Sequence, residues 1–200
     1  MQPQPVARVA KKPLRLDDEV QFFRTWFEKP IRTGAVMPSG KALARRMARC
    51  VDPNSTGPVI ELGPGTGPVT EALVQWGIDP KRLVLVEFDP DFCRLLRTRY
   101  PEATVVQGDA YRLRRLLGGI VREPAAAVVS GLPLMTKPPR TRLRLISDAM
   151  ALLKPGAPFV QFTYAMGSPI PKDLGAIKGE PSELIWLNIP PARVWTYRGV

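Results

Sequence analysis

Histidine is absent from the 200-residue chain, and cysteine occurs only twice. Without histidine, the chain lacks the side chain that most often acts as a general base near neutral pH. Cys50 and Cys93 are too few and too far apart in sequence to form a disulfide framework or a metal site, so we interpret them as free thiols of a cytosolic protein. We therefore expect no metal ion in the functional site.

Long apolar runs are missing as well. No window contains the roughly 18 uninterrupted apolar residues that a membrane-spanning helix needs. The N-terminal segment MQPQPVARVAKKPLRL carries charge but lacks the apolar core of a secretory signal. Because the apolar fraction of 44% is typical of a globular chain, we expect a cytoplasmic protein.

Acidic residues are the minority among the charged ones. The 29 Lys and Arg residues exceed the 18 Asp and Glu residues, which gives a net charge of +11. Such an excess favours a polyanionic partner, either nucleic acid or an anionic membrane surface. Charge alone does not distinguish the two.

Between residues 58 and 164, short apolar segments alternate with segments of helical periodicity. This alternation predicts an α/β fold with a mostly parallel sheet and helices on both faces. Residues 165–181 are rich in Pro and Gly, and we predict a loop long enough to act as a lid. ELIWLNI (183–189) and ARVWTYR (192–198) predict a C-terminal antiparallel hairpin, for seven strands in all. The other predicted strands are 58–63, 82–88, 103–108, 125–131 and 158–164, and the predicted helices are 39–50, 69–76, 91–99, 111–117 and 140–153.

Residues 16–29 show the periodicity of an amphipathic helix. An ordinary core helix has this pattern too, but here bulky aromatic rings dominate the apolar face and basic residues surround it, which favours reversible docking on an anionic membrane. We therefore divide the chain into a basic tail with N-terminal helices that dock and cover the site (1–50) and a catalytic domain (51–200). The residues predicted to dock are Phe22, Phe23, Trp26 and Phe27.

A glycine-rich turn, Glu61-Leu-Gly-Pro-Gly-Thr-Gly67, lies between a predicted strand and a predicted helix. Glycines allow a tight turn and a close approach of the backbone to a ligand, and the free N–H groups at the helix start offer donors. The spacing does not fit the dinucleotide fingerprint GxGxxG, and no GK[ST] follows as in a P-loop. The turn therefore predicts a ligand-binding loop that is neither a dinucleotide fingerprint nor a P-loop.

Two further acids follow the next two predicted strands. Glu87 lies at the end of the second strand, where a carboxylate can accept both hydroxyls of a ribose, and Asp109 lies just after the third. Each acid alone could be an exposed loop residue or a helix cap. With Glu61, however, three acids occupy the carboxyl ends of neighbouring parallel strands, where open α/β sheets bind their ligands.

With these motifs, residues 58–164 resemble the class I S-adenosylmethionine-dependent methyltransferases, which have a Rossmann-like fold. The resemblance implies S-adenosylmethionine as cofactor and S-adenosylhomocysteine as product. It places Glu87 on the ribose, Phe88 beside the adenine ring and Asp109 on the adenine amino group, with Ala110 next to it. The loop beneath the methionine part would consist of Glu61, Gly63, Gly65, Thr66 and Gly67.

Two groups within this class share the order ELGxGTG, VEFD and GDA. The ribosomal RNA adenine dimethylases carry Asn-Leu-Pro-Tyr after the fourth strand, where an amide and a stacked ring hold the base. This chain has Ser130-Gly-Leu-Pro-Leu134 instead, which resembles the bacterial phosphatidylethanolamine N-methyltransferases, as does TGAVMPSGKALA (33–44). Ser130, which also contacts the cofactor, and Leu132 are the candidate catalytic residues in this segment. Tyr164 could offer its ring to the methylammonium or simply pack under the hairpin.

The resemblance implies stepwise N-methylation of phosphatidylethanolamine towards phosphatidylcholine at the inner face of the cell membrane. The expected partners are an anionic membrane surface and the phospholipid, with nucleic acid disfavoured. The first alternative is an RNA adenine N6-methyltransferase, which the charge of +11 favours. A non-enzymatic membrane- or RNA-binding module is the lesser alternative, because the acids and glycines of a cofactor site are all present.

Overall fold

A computed structural model describes residues 38–171, 175–188 and 190–199. Its centre is a seven-stranded sheet of order β3-β2-β1-β4-β5-β7-β6, in which β1 to β5 run parallel and β7 runs antiparallel to β5 and β6. This confirms the predicted mostly parallel, Rossmann-like sheet. The strands are β1 Val59–Leu62, β2 Leu83–Glu87, β3 Thr104–Gln107, β4 Ala127–Ser130, β5 Phe159–Thr163, β6 Ile177–Pro181 and β7 Arg193–Gly199. The helices are α1 Pro38–Ala48, α2 Pro68–Gln75, α3 Pro90–Arg99, α4 Leu113–Leu117 and α5 Pro139–Met150.

The helices cover the two faces of the sheet, as predicted. Successive side chains of a strand point to opposite faces, so β1 directs Val59 to the face covered by α1, α2 and α3, and Ile60 to the face covered by α4 and α5. All residues of β1, β2, β4 and β5 are buried, which explains their nearly continuous apolar sequences. Helix α1 contributes Leu43 and Met47 to the first of these cores.

Local sequence fixes where several helices begin. Proline occupies the first position of α2, α3 and α5, where its missing N–H costs no hydrogen bond. The side chain of Asp89 caps α3 by accepting hydrogen bonds from the backbone N–H groups of Asp91 and Phe92. Each of these helices follows a parallel strand and begins at the carboxyl edge of the sheet.

The predicted C-terminal hairpin exists, but one of its strands was assigned wrongly. The partner of β7 is β6, Ile177–Pro181, and not ELIWLNI (183–189), which lies in the connection between the two strands. In this register Gly179 faces Tyr197, and a Cβ at Gly179 would lie 2.5 Å from the Tyr197 ring. The missing side chain of Gly179 thus makes room for the ring. The predicted loop 165–181 was wrong for its last five residues, which form β6.

Several predictions lie outside the described residues, including the helix 16–29 with its four docking residues. In the ranges that the structure describes, none of the helices has the length and apolar character needed to traverse a bilayer.

Candidate active site

The order of the strands reverses between β1 and β4, because the chain passes from β1 to β2 on one side and returns to β4 on the other. Open α/β sheets bind ligands at the carboxyl ends of the strands at such a point. Here the loops after β1 and β4 touch. A Cβ at Gly131 would lie 2.8 Å from the carbonyl oxygen of Gly63, so only glycine fits at position 131 with this backbone.

The glycine-rich turn after β1 has the backbone conformation that its sequence predicts. Gly63, Gly65 and Gly67 all have positive φ, which side chains other than glycine rarely tolerate. At Gly63 (φ +68) a Cβ would also lie 2.8 Å from a methyl carbon of Leu132. Thr66 contributes its carbonyl oxygen, which accepts a hydrogen bond from Arg99 at 2.7 Å. The turn therefore exposes backbone at the edge where the resemblance places the methionine part of the cofactor.

Glu61 is buried beneath this turn, with 1% of its surface exposed. Its Oε2 accepts a hydrogen bond from the hydroxyl of Thr70 at 2.7 Å. Burial raises the pKa of Glu61 to about 8, the hydrogen bond from Thr70 lowers it, and the carboxylate of Glu87 raises it. Glu61 therefore holds a proton at neutral pH, and a nearby cation would favour its release. The crevice around Glu61 is covered by α1, with Leu43, Ala44 and Met47 in its lining.

Glu87 ties the turn to the end of β2. Its Oε2 accepts a hydrogen bond from the backbone N–H of Gly65 at 2.9 Å, and its Oε1 accepts from Phe88 at 2.7 Å and Asp89 at 3.0 Å. A carboxylate offers about four acceptor positions, so one remains on Oε2 for a ribose hydroxyl. Glu87 thus shapes the loop as well as offering an acceptor to a ligand.

Asp109 and Phe88 lie at the same edge and are accessible. The Oδ1 of Asp109 caps the turn Ala110–Arg112 by accepting from the backbone N–H of Tyr111 at 2.9 Å. Within the described part of the chain, Oδ2 accepts no hydrogen bond and lies 3.9 Å from Nε of Arg112, so it can accept from an amino group. Phe88 is 74% exposed, so its ring is accessible for stacking on a planar ligand, whereas Ala110 is buried.

The loop after β4 is held by a residue that the sequence analysis missed. Gln161 of β5 is fully buried, and its Nε2 donates to the carbonyl oxygen of Leu132 at 2.9 Å and to that of Phe162 at 2.8 Å. Ser130, also fully buried, accepts a hydrogen bond at Oγ from the backbone N–H of Leu132 at 3.4 Å. The polar residue within the apolar strand FVQFT was the available signal for Gln161. The position of Leu132 thus depends on both side chains.

Tyr164 directly follows β5 and packs on the face of the sheet that carries α1. Its ring meets the ring of Phe162 edge-on, with 5.6 Å between their centres. Phe162 also lines the crevice around Glu61. Tyr164 therefore lies on the same side of the sheet as Glu61, which fits either role predicted for it.

The charges of this site fit a sulfonium cofactor with an ammonium group. Carboxyl groups lie at or near the carboxyl ends of three neighbouring strands: Glu61 is one residue before the end of β1, Glu87 ends β2, and Asp109 is two residues after β3. The free acceptors of Glu87 and Asp109 match a ribose hydroxyl and an adenine amine, and the turn after β1 offers neither a lysine nor a GK[ST] sequence for phosphates.

Comparisons with known proteins agree with this geometry. The ribosomal RNA adenine dimethylase family model matches residues 41–116. An ornithine lipid N-methyltransferase from Singulisphaera acidiphila is 32% identical over 74% of this chain and 79% of its own length. A ribosomal RNA small subunit methyltransferase A from a Synechococcus strain is 36% identical, but only over 46% of this chain and 31% of its own length.

The fold has relatives among solved structures. A Streptococcus mutans methyltransferase, solved in complex with SAH, superimposes with a TM-score of 0.54 at 16% identity, covering 78% of this chain and 96% of that one. The ornithine lipid N-methyltransferase, which this chain matches over 79% of its length, is likewise a methyltransferase. The chain therefore belongs to the class I S-adenosylmethionine-dependent methyltransferases related to the ribosomal RNA adenine dimethylases, and S-adenosylmethionine is its cofactor.

Proposed function

We propose that this methyltransferase transfers methyl groups to the amine of phosphatidylethanolamine, stepwise towards phosphatidylcholine, at the inner face of the cell membrane. The observation that carries the proposal is the loop after β4, Ser130-Gly-Leu-Pro-Leu134, which lies against the turn of the cofactor site. This loop offers the hydroxyl of Ser130 and backbone carbonyl oxygens as hydrogen-bond acceptors for an amine. It has neither an amide side chain nor an aromatic ring to bind a nucleobase.

Two details of the loop argue against a nucleobase. Gly131 lies so close to the carbonyl oxygen of Gly63 that an amide side chain has no room at this position. Leu134 is 2% exposed and belongs to the core under α5, so the loop offers no ring at this position on which a base could stack. A small primary amine needs neither group.

The parts of the chain that match RNA methyltransferases and a lipid methyltransferase also support a lipid amine as the acceptor. The match to the RNA dimethylase family ends at residue 116, before the loop after β4 begins. The relative that acts on ornithine lipid covers 74% of the chain. The RNA relationship is therefore strongest in the half of the domain that holds the cofactor, and the lipid relationship extends over both halves.

The chemistry requires little of the protein beyond alignment. The cofactor supplies a methyl group already activated on a sulfonium, for in-line attack by the amine. Ser130 and the carbonyl oxygen of Leu132, positioned by Gln161, would orient the N–H groups of the amine. Because the chain has no histidine, loss of the ammonium proton would rely on desolvation, which lowers the pKa of an amine.

The test is lipid mass spectrometry on a bacterial host that makes phosphatidylethanolamine but no phosphatidylcholine. Expression of the chain should yield mono-, di- or trimethylated phosphatidylethanolamine, and the Glu87→Ala variant, expressed at the same level, should yield none. Absence of every methylated form would refute the proposal. Methylation of ornithine lipid in a host that makes it, or of RNA adenine, would then identify the acceptor.

A further inference from the structure

The connection between β6 and β7 contains a β-turn of unusual sequence. The backbone N–H of Asn188 donates to the carbonyl oxygen of Ile185 at 3.1 Å, which makes Trp186 and Leu187 the two central residues of a β-turn. These two side chains are 72% and 79% exposed. Central turn positions ordinarily carry Gly, Pro, Asn, Asp or Ser, so a Trp-Leu pair at the tip calls for a reason other than turn formation.

The turn is firmly attached to the domain on both sides. The backbone N–H of Ile185 donates to the carbonyl oxygen of Ala192 at 2.8 Å, and Ala192 is fully buried. Asn188 is 1% exposed, and its Nδ2 donates to the carbonyl oxygen of Pro190 at 2.7 Å. The hydrogen bonds of Ile185 and Asn188 therefore fix the turn, and Trp186 and Leu187 at its tip are exposed as a consequence of the fold.

The tip lies at the edge of the sheet that carries the active site. Arg193, which begins β7, pairs with Thr163, which ends β5. Met166 follows β5 at the same edge and is 74% exposed. Among the residues that the structure describes, the other exposed large apolar ones, apart from Phe88 of the cofactor site, are Trp76 and Ile120 at 40% and 44%. Both follow helices that lead to the opposite edge of the sheet.

We propose that Trp186 and Leu187, together with Met166, insert into the interfacial layer of an anionic bilayer and hold the acceptor side of the active site against the membrane. This inference deepens the proposed function and rests on it. The partner is argued from size, because an aromatic side chain buries about 150–250 Å² and a stable protein interface needs about 1,200 Å² or more. Two protruding side chains suit a fluid interface, where Trp is favoured.

Charge at the same edge fits an anionic surface. Lys137 and Arg140 lie in the loop after β4 and at the start of α5, and Lys137 lies over the ring of Tyr111 at 5.2 Å. Basic groups at the carboxyl edge of the sheet can contact lipid phosphates at the depth of the headgroups when an apolar tip at that edge inserts. With the tip inserted, the lipid amine would reach the loop after β4 without leaving the membrane.

The experiment measures binding of the full chain to vesicles of phosphatidylcholine and phosphatidylglycerol. These vesicles contain no phosphatidylethanolamine, so binding is scored separately from methyl transfer. The double variant Trp186→Ser/Leu187→Ser should bind at least about tenfold more weakly, with unchanged affinity for S-adenosylmethionine by calorimetry. The matched control Ile120→Ser removes an exposed apolar side chain at the opposite edge and should bind as the wild type does.

A second measurement locates the tip directly. Lipids brominated along the acyl chain should quench the fluorescence of the Trp26→Phe variant, in which the predicted docking helix carries no tryptophan, and the Trp26→Phe/Trp186→Phe variant should lose most of this quenching while still binding. Unchanged vesicle binding by the double variant would overturn the proposal. So would weaker binding together with a lower unfolding temperature, since the tip would then be packed against protein, or a selective loss of RNA binding.

Discussion

Near the carboxyl ends of β1 to β3 the sheet carries the acids Glu61, Glu87 and Asp109, whereas β4 and β5 contribute the neutral side chains Ser130 and Gln161. On the first side, the carboxylates of Glu87 and Asp109 accept hydrogen bonds from backbone N–H groups of their own loops, and Glu87 also accepts one from Gly65 in the turn after β1. On the second, a buried amide donates to a carbonyl oxygen of the neighbouring loop.

The difference reflects what each side has to recognise. The cofactor is a cation with a ribose and an adenine, and its fixed pattern of donors demands acceptors of one kind at fixed places. In the proposed function the methyl acceptor is an amine on a flexible molecule, and many carbonyl or hydroxyl groups can orient it. A cofactor site of this kind can therefore be recognised as a motif in the sequence, whereas an acceptor site is defined mainly by the shape of the folded protein.

The sharpest way to break this comparison is the Glu87→Ala variant. Three backbone N–H groups would lose their acceptor and the ribose would lose its ligand, so we expect affinity for S-adenosylmethionine to fall more than about 100-fold. Calorimetry measures it. Asp91→Ala is the matched control, because Asp91 is an exposed acid of the neighbouring helix. Equal losses in both variants would mean that only local charge matters.

On the acceptor side, the Gln161→Leu variant removes the donor that holds the carbonyl oxygen of Leu132. We expect kcat to fall by about 10- to 100-fold, because small displacements of a positioning group are costly, while cofactor affinity stays within about twofold. Steady-state kinetics and calorimetry separate the two quantities. Gln75→Leu, an exposed position at the end of α2, serves as control. A parallel loss of cofactor affinity would show that the two sides are not separable.

The smallest expected effect concerns the proton on Glu61. Because its pKa is raised to about 8 in the folded protein, binding of a cationic cofactor near neutral pH should release part of a proton, and affinity should rise with pH up to about 8 by less than tenfold per unit. Calorimetry in buffers of different ionisation enthalpy measures the release. Glu61→Gln should abolish it, and Gln75→Leu should not.

The same shift affects stability, with a sign that can be checked. Between the ordinary carboxyl pKa of 4.5 and about 8, the unfolded chain has lost this proton while the folded one retains it. The contribution of Glu61 to the free energy of unfolding therefore falls as the pH rises through this window, by at most about 1.4 kcal/mol per unit. Denaturant titrations at several pH values should show a smaller decrease for Glu61→Gln.

The parallel part of the fold could be predicted from local patterns alone. Strands β1 to β5 and the helices α1 to α5 lie within a few residues of their predicted positions, since apolar runs and helical periodicity determine them directly. The segment 183–189 shows the limit of this approach. Its apolar residues favour a strand by propensity, yet β6 forms from IKGEP because Gly179 accommodates the ring of Tyr197. A contact between distant residues decided the pairing.

The site divides in the same way. Glu61, Glu87 and Asp109 could be predicted because each lies near the end of a strand that the apolar pattern identifies. Gln161 acts through a hydrogen bond to Leu132, 29 positions away in the sequence. Local sequence does not reveal such a partner. The predicted docking of the helix 16–29 remains a prediction.

The contact between Gly63 and Gly131 has a consequence for changing the specificity of this enzyme. Because the two loops touch, the spacing between them is set by the absence of side chains at Gly63 and Gly131. Grafting a base-binding loop with an asparagine at position 131 would push the carbonyl oxygen of Gly63 away and misalign the donor at the same time. Exchange of the acceptor therefore requires redesign of both loops together, and a single-loop chimera should be inactive towards either substrate.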